Sequence, residues 1–237
     1  MNNETLDRTS LRLPATLLVV GQLLYIAATQ VHTGGHAHDH AAIFAEYARS
    51  GVWTAVHLVQ FAGTAMLLAG LVALFSALDL QVGTTRWVGR LGAASAVASL
   101  ALYGVLQAVD GVALKQAVTA WASAPGAEKA ARFASAEGIR WLEWGVRSYH
   151  DFALGVALLL VAVAVARTPS VPRAIAYLSG LSGVTYLVQG WVLGSEGFTS
   201  MHDLFIVLAW VLTLAWTIWL AVVARRMRDP EVSSPVG

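Results

Sequence analysis

Trp53-Thr-Ala-Val-His57-Leu-Val-Gln60-Phe-Ala-Gly63-Thr-Ala-Met-Leu-Leu-Ala-Gly70-Leu-Val-Ala-Leu-Phe-Ser-Ala-Leu78 runs for 26 residues without one Asp, Glu, Lys or Arg. A stretch this long decides the fold. A helix rising about 1.5 Å per residue needs roughly 20 apolar residues to cross a hydrocarbon core about 30 Å thick. Lipid offers no water to the backbone N–H and C=O groups, so the stretch must be helical. Its imidazole and its amide, His57 and Gln60, stand together near one end.

Five further stretches have the same character: Leu13 to Val31, Leu91 to Val109, Ser148 to Ala166, Ala174 to Gly194 and Leu204 to Ala224. The composition agrees with them. Of 237 residues, 57% are hydrophobic and 12% charged, with a mean hydropathy of +0.63. Soluble domains carry about a quarter charged residues; this chain has half that. The expected fold is therefore all-α, an integral membrane bundle of six transmembrane helices. No stretch shows the alternating pattern of an outer-membrane strand. The first span is read as a retained helix and not a secretory signal, because Glu4 and Asp7 precede it and no A-x-A site follows.

Charge placement orients the bundle. With both termini cytoplasmic, Arg8, Arg12, Arg86, Arg90, Arg167, Arg173, Arg225, Arg226 and Arg228 lie inside, nine of the fifteen basic residues and all at span ends. The acids divide the other way, nine outside and five inside. The positive-inside rule then gives N-in and C-in. Residues 1–12 form a cytoplasmic N-terminus, 13–228 the membrane domain and 229–237 a disordered cytoplasmic tail.

Inner connections are short. The first outer loop (33–52) is longer, with Asp39 placed to cap a helix that carries Ile43, Phe44 and Tyr47 at helical spacing. The second (111–147) is Ala-rich, broken at Pro125-Gly126, and extends spans three and four beyond the membrane as helices. Small residues crowd span three (Gly92 to Ser99) and span five (Ser179, Gly180, Ser182, Gly183), which makes them the expected centre of the bundle. Trp210, Trp216 and Trp219 of span six are expected to face lipid or a partner.

All seven histidines fall on the outer side in this orientation. His57, His150 and His202 each stand near the outer start of a returning helix, and the strings His150-Asp151 and His202-Asp203 hint at an internal repeat of three hairpins. Asp110, Glu143 and Arg147 lie at the same level, with Gln60 and Gln107 one turn deeper. Glu143 and Arg147 have the spacing of an i, i+4 ion pair. Polar groups in spans are costly and face a bundle interior or a wet cavity. The inner half has only Gln22, so the band describes a one-sided pocket and not a channel.

Three neutral imidazoles from His57, His150 and His202 could hold one divalent ion (Zn, Cu or Fe), with an acid as ligand, outer-shell acceptor or base. The alternative is a hydrogen-bonded cluster without metal. A single b-type haem between two histidines is a lesser option, since no inner histidine supports a second centre. His36, His38 and His40 could capture a metal loosely, or simply be a solvated loop. If the pocket takes a lipid head group, Arg147 is its best cation.

The absence of cysteine excludes disulfides, thiolate metal sites and thiol catalysis. A net charge of +1 gives no footprint for nucleic acid. Walker and nucleophile-elbow motifs are absent. The partners in view are the lipid bilayer and a small-molecule or lipid ligand. Three functions follow: a binding protein with an outward pocket, a metal-dependent hydrolase or lipid-modifying enzyme, and a structural subunit.

The stretch Asp39 to Ala48, followed by Trp53 to Gly63, resembles a group of uncharacterised multi-pass membrane proteins common in actinobacteria. Leu106 to Lys115, Arg140-Trp-Leu-Glu143-Trp-Gly and Val171-Pro-Arg173 are similar to it too, and the last piece also resembles the broader DUF4386 family. The resemblance implies six spans and a bacterial plasma membrane; it implies no activity. The first outer loop of that group is often less histidine-rich, so His36 and His38 depart from the pattern while His40, His57 and Gln60 match it.

Overall fold

The computed structural model describes residues 8–32, 38–78 and 83–227. The expected tail 229–237, the N-terminus before residue 8 and His36 lie outside these ranges. Among the described residues there are helices and no strands. They are α1 (Arg8–Gln30), α2 (His40–Arg49), α3 (Trp53–Ala77), α4 (Gly83–Leu106), a π-helical segment (Gln107–Leu114), α5 (Lys115–Ser123), α6 (Gly126–Ala166), α7 (Arg173–Glu196) and α8 (Ser200–Arg226). Five stretches are long and apolar enough to cross a membrane: Ser10–Gln30, Trp53–Ala77, Thr85–Ser123, Gly126–Ala166 and Ser200–Arg226.

The third and fourth of these are far longer than a bilayer needs. α4, the π segment and α5 form one rod, and α6 alone has 41 residues. At about 1.5 Å per residue each reaches roughly 60 Å. The excess comes from the Ala-rich residues around Pro125, as the sequence leads one to expect. α2 lies against this projecting pair. Asp39 caps it by accepting from the Ala42 N–H at 3.1 Å, and its apolar face (Ile43, Phe44, Tyr47) packs with Trp53, Leu114, Val118 and Ala136.

Each long helix packs on its neighbour in the chain, and α8 closes back on α1. The tightest approaches are between α1 and α3 and between α6 and α7. A Cβ on Gly63 would stand 2.9 Å from Gly21 O, and one on Gly183 would stand 2.8 Å from Gly155 O. Only glycine allows such contact, and close packing is what joins helices where lipid removes the hydrophobic drive. This corrects the expectation that α4 and α7 share the centre. Their small residues both meet α6, which stands between them: Ser95 Oγ donates to Ala153 O of α6 at 2.7 Å, and α7 seats Gly183 on Gly155 of α6.

The half of the bundle remote from α2 is filled by apolar side chains, among them Leu11, Leu18, Leu71, Leu158, Ile175 and Leu220. Trp216 belongs to this core and is fully buried, and Trp210 is half-buried with its ring edge-on to Tyr25, so of the three tryptophans expected to be exposed only Trp219 is. Thr217 and Ser182 there bond to their own helices, at Thr213 O and Leu178 O.

Candidate functional site

At the α2 end the polar residues surround a cavity of about 340 Å³. Its wall is built from every long helix except α7. α1 supplies Tyr25 and Thr29, α3 supplies Gln60, α4 and the π segment supply Tyr103, Gln107 and Asp110, α6 supplies Arg140, Glu143 and Arg147, and α8 supplies His202 and Asp203. Tyr47 of α2, His32 beyond α1 and Phe198 before α8 complete it. Thus Gln60, Gln107, Asp110, Glu143, Arg147, His202 and Asp203 line one space. His57 stands behind Asp110, and His150 and Asp151 lie outside the lining.

α2 is fixed in place by charge. Lys115, at the start of α5, donates from Nζ to Tyr47 O, Ala48 O and Ser50 O at 2.6, 2.9 and 3.0 Å. These carbonyls belong to the last turn of α2 and just beyond, where a helix leaves its acceptors unpaired and favours a cation. His40 is similarly engaged, Nδ1 to Glu137 Oε1 at 2.9 Å, and both it and His38 set their rings against Trp144. These two loop histidines therefore contact the α6 extension.

Tyr47 points from α2 into the cavity. Burial holds its phenol well above the ordinary tyrosine range, with the Arg140 charge pulling it partway back. It therefore stays protonated and can donate a hydrogen bond. Arg140 is only 2% exposed. It donates from NH1 to Tyr47 Oη and to Glu143 Oε2, both at 3.2 Å. Its guanidinium carbon lies 5.3–5.8 Å from the ring centres of Tyr47, Trp144 and Phe198, a cation surrounded by π faces.

Arg147 bonds to Asp151 Oδ1 through Nε at 3.3 Å and to Tyr25 Oη through NH2 at 2.8 Å. At this level of α6 the ion pairs are thus Arg140–Glu143 and Arg147–Asp151, where the sequence suggested Glu143–Arg147. Both spacings, i, i+3 and i, i+4, join one helical face; the choice falls to the neighbours, since Tyr25 and Asp151 draw Arg147 away from Glu143.

The three histidines of the expected metal set do not meet. His150 donates from Nδ1 to Ser99 O at 3.0 Å, and Ser99 Oγ donates to His150 O at 3.3 Å, which ties α6 to α4. His202 lies within 3.5 Å of Gln189 Nε2 on α7. Its neighbour Asp203 has a 72% exposed side chain. The described group that can hold an ion is instead His32, His57 and Asp110, whose ligand atoms all lie within 4.8 Å of one another. Sequence reasoning had both His57 and Asp110 but separated them by role; His32 it left in the loop.

Sequence reasoning also missed Arg140, Tyr25, Tyr47 and Thr29 as lining residues. The Arg140-x-x-Glu143 spacing was the available signal, but burial cannot be read from it. Tyr103 is likewise buried in the wall, whereas Tyr149 is exposed. Gln107 Oε1, Asp110 Oδ1, Arg140 Nε and His202 Nδ1 are buried atoms without a hydrogen-bond partner. Buried polar groups are normally satisfied, so four such atoms around one cavity mark it as a place for a polar guest.

Comparison with protein families, with curated proteins and with solved structures finds no match to this chain. Its function has to be read from the site.

Proposed function

We propose that this chain is a six-span plasma-membrane protein, N-in and C-in, whose outward-facing pocket binds a small polar molecule or the head group of a lipid. α7 is the sixth span in this reading. It is long enough, and it is less apolar than the other five because Ser179, Ser182, Thr185 and Gln189 are buried against its neighbours. Its exposed face carries Tyr177, Leu181, Val184 and Trp191, side chains that suit lipid.

The single observation that carries the binding reading is the cavity itself: about 340 Å³, at one end of the bundle, walled by charged and amide groups with unpartnered atoms. Pockets for small ligands run from about 300 Å³ upward and use a few convergent polar groups. The opposite half of the bundle is packed with apolar side chains, which supports a one-sided site and opposes a transport path.

The chain has no cysteine, so introduced thiols report cleanly. Gln60→Cys and Asp203→Cys should react with a membrane-impermeant methanethiosulfonate in intact cells, and Ser170→Cys, in the turn between α6 and α7, only after lysis. Phosphocholine or glycerol phosphate, used as head-group probes, should slow modification of Gln60→Cys saturably. The reverse labelling pattern overturns the orientation. Failure of both probes, with no small molecule extracted from the purified protein, overturns the binding reading.

One observation favours a second reading, a membrane-embedded metal-dependent hydrolase or lipid-modifying enzyme: the His32–His57–Asp110 group borders the same cavity.

A further inference from the structure

We infer that His32, His57 and Asp110 form a first-row divalent metal site in the cavity wall, its remaining coordination positions open to the cavity. The site deepens the pocket reading and rests on it for the exogenous ligand, though not for the three protein ligands.

His57 Nδ1 lies 2.9 Å from Trp53 O. A carbonyl only accepts, so Nδ1 carries the hydrogen. In the neutral ring Nε2 is then a bare lone pair. That lone pair stands 3.0 Å from Asp110 Oδ2, itself an acceptor. Two acceptors at this distance need a positive centre on them, either a proton on Nε2 or a metal ion shared by both. Neighbouring ligand atoms of a tetrahedral ion with bonds of about 2.0–2.1 Å stand about 3.3 Å apart, so the pair already has nearly the spacing of co-ligands.

The surroundings distinguish the two. A proton needs only His57 and Asp110. Here His32 brings a third donor within 4.8 Å of the others, its ring centre 5.0 Å from that of His57. Asp110 Oδ1 remains without a partner in a side chain only 13% exposed. Metal-bound imidazoles characteristically donate their other N–H to a carbonyl, as His57 does. The backbone is also held for the purpose: Trp53 Nε1 donates to Asp110 O at 3.2 Å, and Gly111 lets the wall approach until an added Cβ would stand 3.0 Å from His57 Cβ. Asp110 sits within the π segment, and such departures from α geometry recur at functional sites. Two imidazoles and one carboxylate suit zinc with an open fourth position, or a non-haem divalent iron. The ligand added from the cavity would be an oxygen donor such as water, phosphate or carboxylate.

The test uses the full chain in detergent, stripped of metal and titrated with Zn²⁺, then with Co²⁺ as a spectroscopic substitute. One ion per chain is expected, with visible Co²⁺ absorption bands of a low-coordinate site. His57→Gln, Asp110→Asn and His32→Asn should lose the stoichiometric ion. His150→Gln, His202→Gln and the double variant His36→Ala/His38→Ala should keep it. Absence of a Zn²⁺ equivalent or of the Co²⁺ bands in the unaltered protein overturns the site, and that readout needs no variant to fold. Retention of the ion by His57→Gln or Asp110→Asn overturns it too, as does loss in the loop double variant. If the metal fails while Gln60→Cys is still modified and protected from outside, the pocket reading stands without it; if Zn²⁺ binds but the labelling fails, only the pocket reading falls.

Discussion

Two parts of the bundle at the cavity end, the α3 and π-segment wall and the part of α6 outside the lining, hold a histidine and an aspartate each, and they use them in opposite ways. On the α3 and π-segment wall, His57 and Asp110 face one another at 3.0 Å, though 53 residues separate them. On α6, His150 and Asp151 are adjacent in sequence, yet the ring nitrogen Nε2 is 3.9 Å from the carboxylate and makes no hydrogen bond to it. Successive residues of a helix point about 100° apart, so the two side chains of a His-Asp dipeptide face different neighbours even where their tips come within 4 Å. His150 turns to Ser99 on α4, and Asp151 turns to Arg147. His202 and Asp203 differ likewise: both line the cavity, but His202 is buried against Gln189 while the Asp203 side chain is 72% exposed. One part is arranged to receive a cation; the other is an internal strut.

The largest expected effect tests the strut. Arg147→Ala leaves Asp151 buried without its counterion and should cost about 3–5 kcal/mol, read as a lower melting temperature in detergent and a low folded yield. Combining it with Asp151→Asn should recover a substantial part. An undiminished melting temperature in Arg147→Ala would mean that the two parts do not differ as described. Next in size, Asp110→Asn removes a hydrogen bond between charged partners and should cost about 1.5–3 kcal/mol; added Zn²⁺ should raise the melting temperature of the parent and not of this variant. Ser99→Ala loses one hydroxyl bond to His150 O and should cost about 0.5–1.5 kcal/mol while leaving Zn²⁺ titration unchanged, which separates strut from receptor. The smallest effect is Asp203→Ala. Its side chain is exposed, so stability should move by no more than about 0.5 kcal/mol in the same melting assay.

Much of the fold was legible because a membrane helix announces itself in one dimension. The apolar runs around residues 13–31, 53–78 and 204–224 agree with α1, α3 and α8 to within a few residues at most ends. The site was legible as a level and not as an arrangement. Gln60, Gln107, Asp110, Glu143, Arg147, His202 and Asp203 were recognisable because each interrupts or borders an apolar run. Arg140, Tyr25 and Tyr47 were not, since an arginine on a helical extension and a tyrosine near an interface look alike whether they face water or a cavity.

The sequence by itself determined an all-helical chain made for lipid, the helix-capping role of Asp39 and the gathering of polar groups toward one end. It could do so because length, hydropathy and capping are local properties. Tertiary structure alone decided that the glycine contacts join α1 to α3 and α6 to α7, that Arg147 takes Asp151, and that His57 meets Asp110 and His32 instead of His150 and His202. Those choices depend on the rotation of each helix about its axis and on which neighbour stands opposite, and no local pattern encodes either.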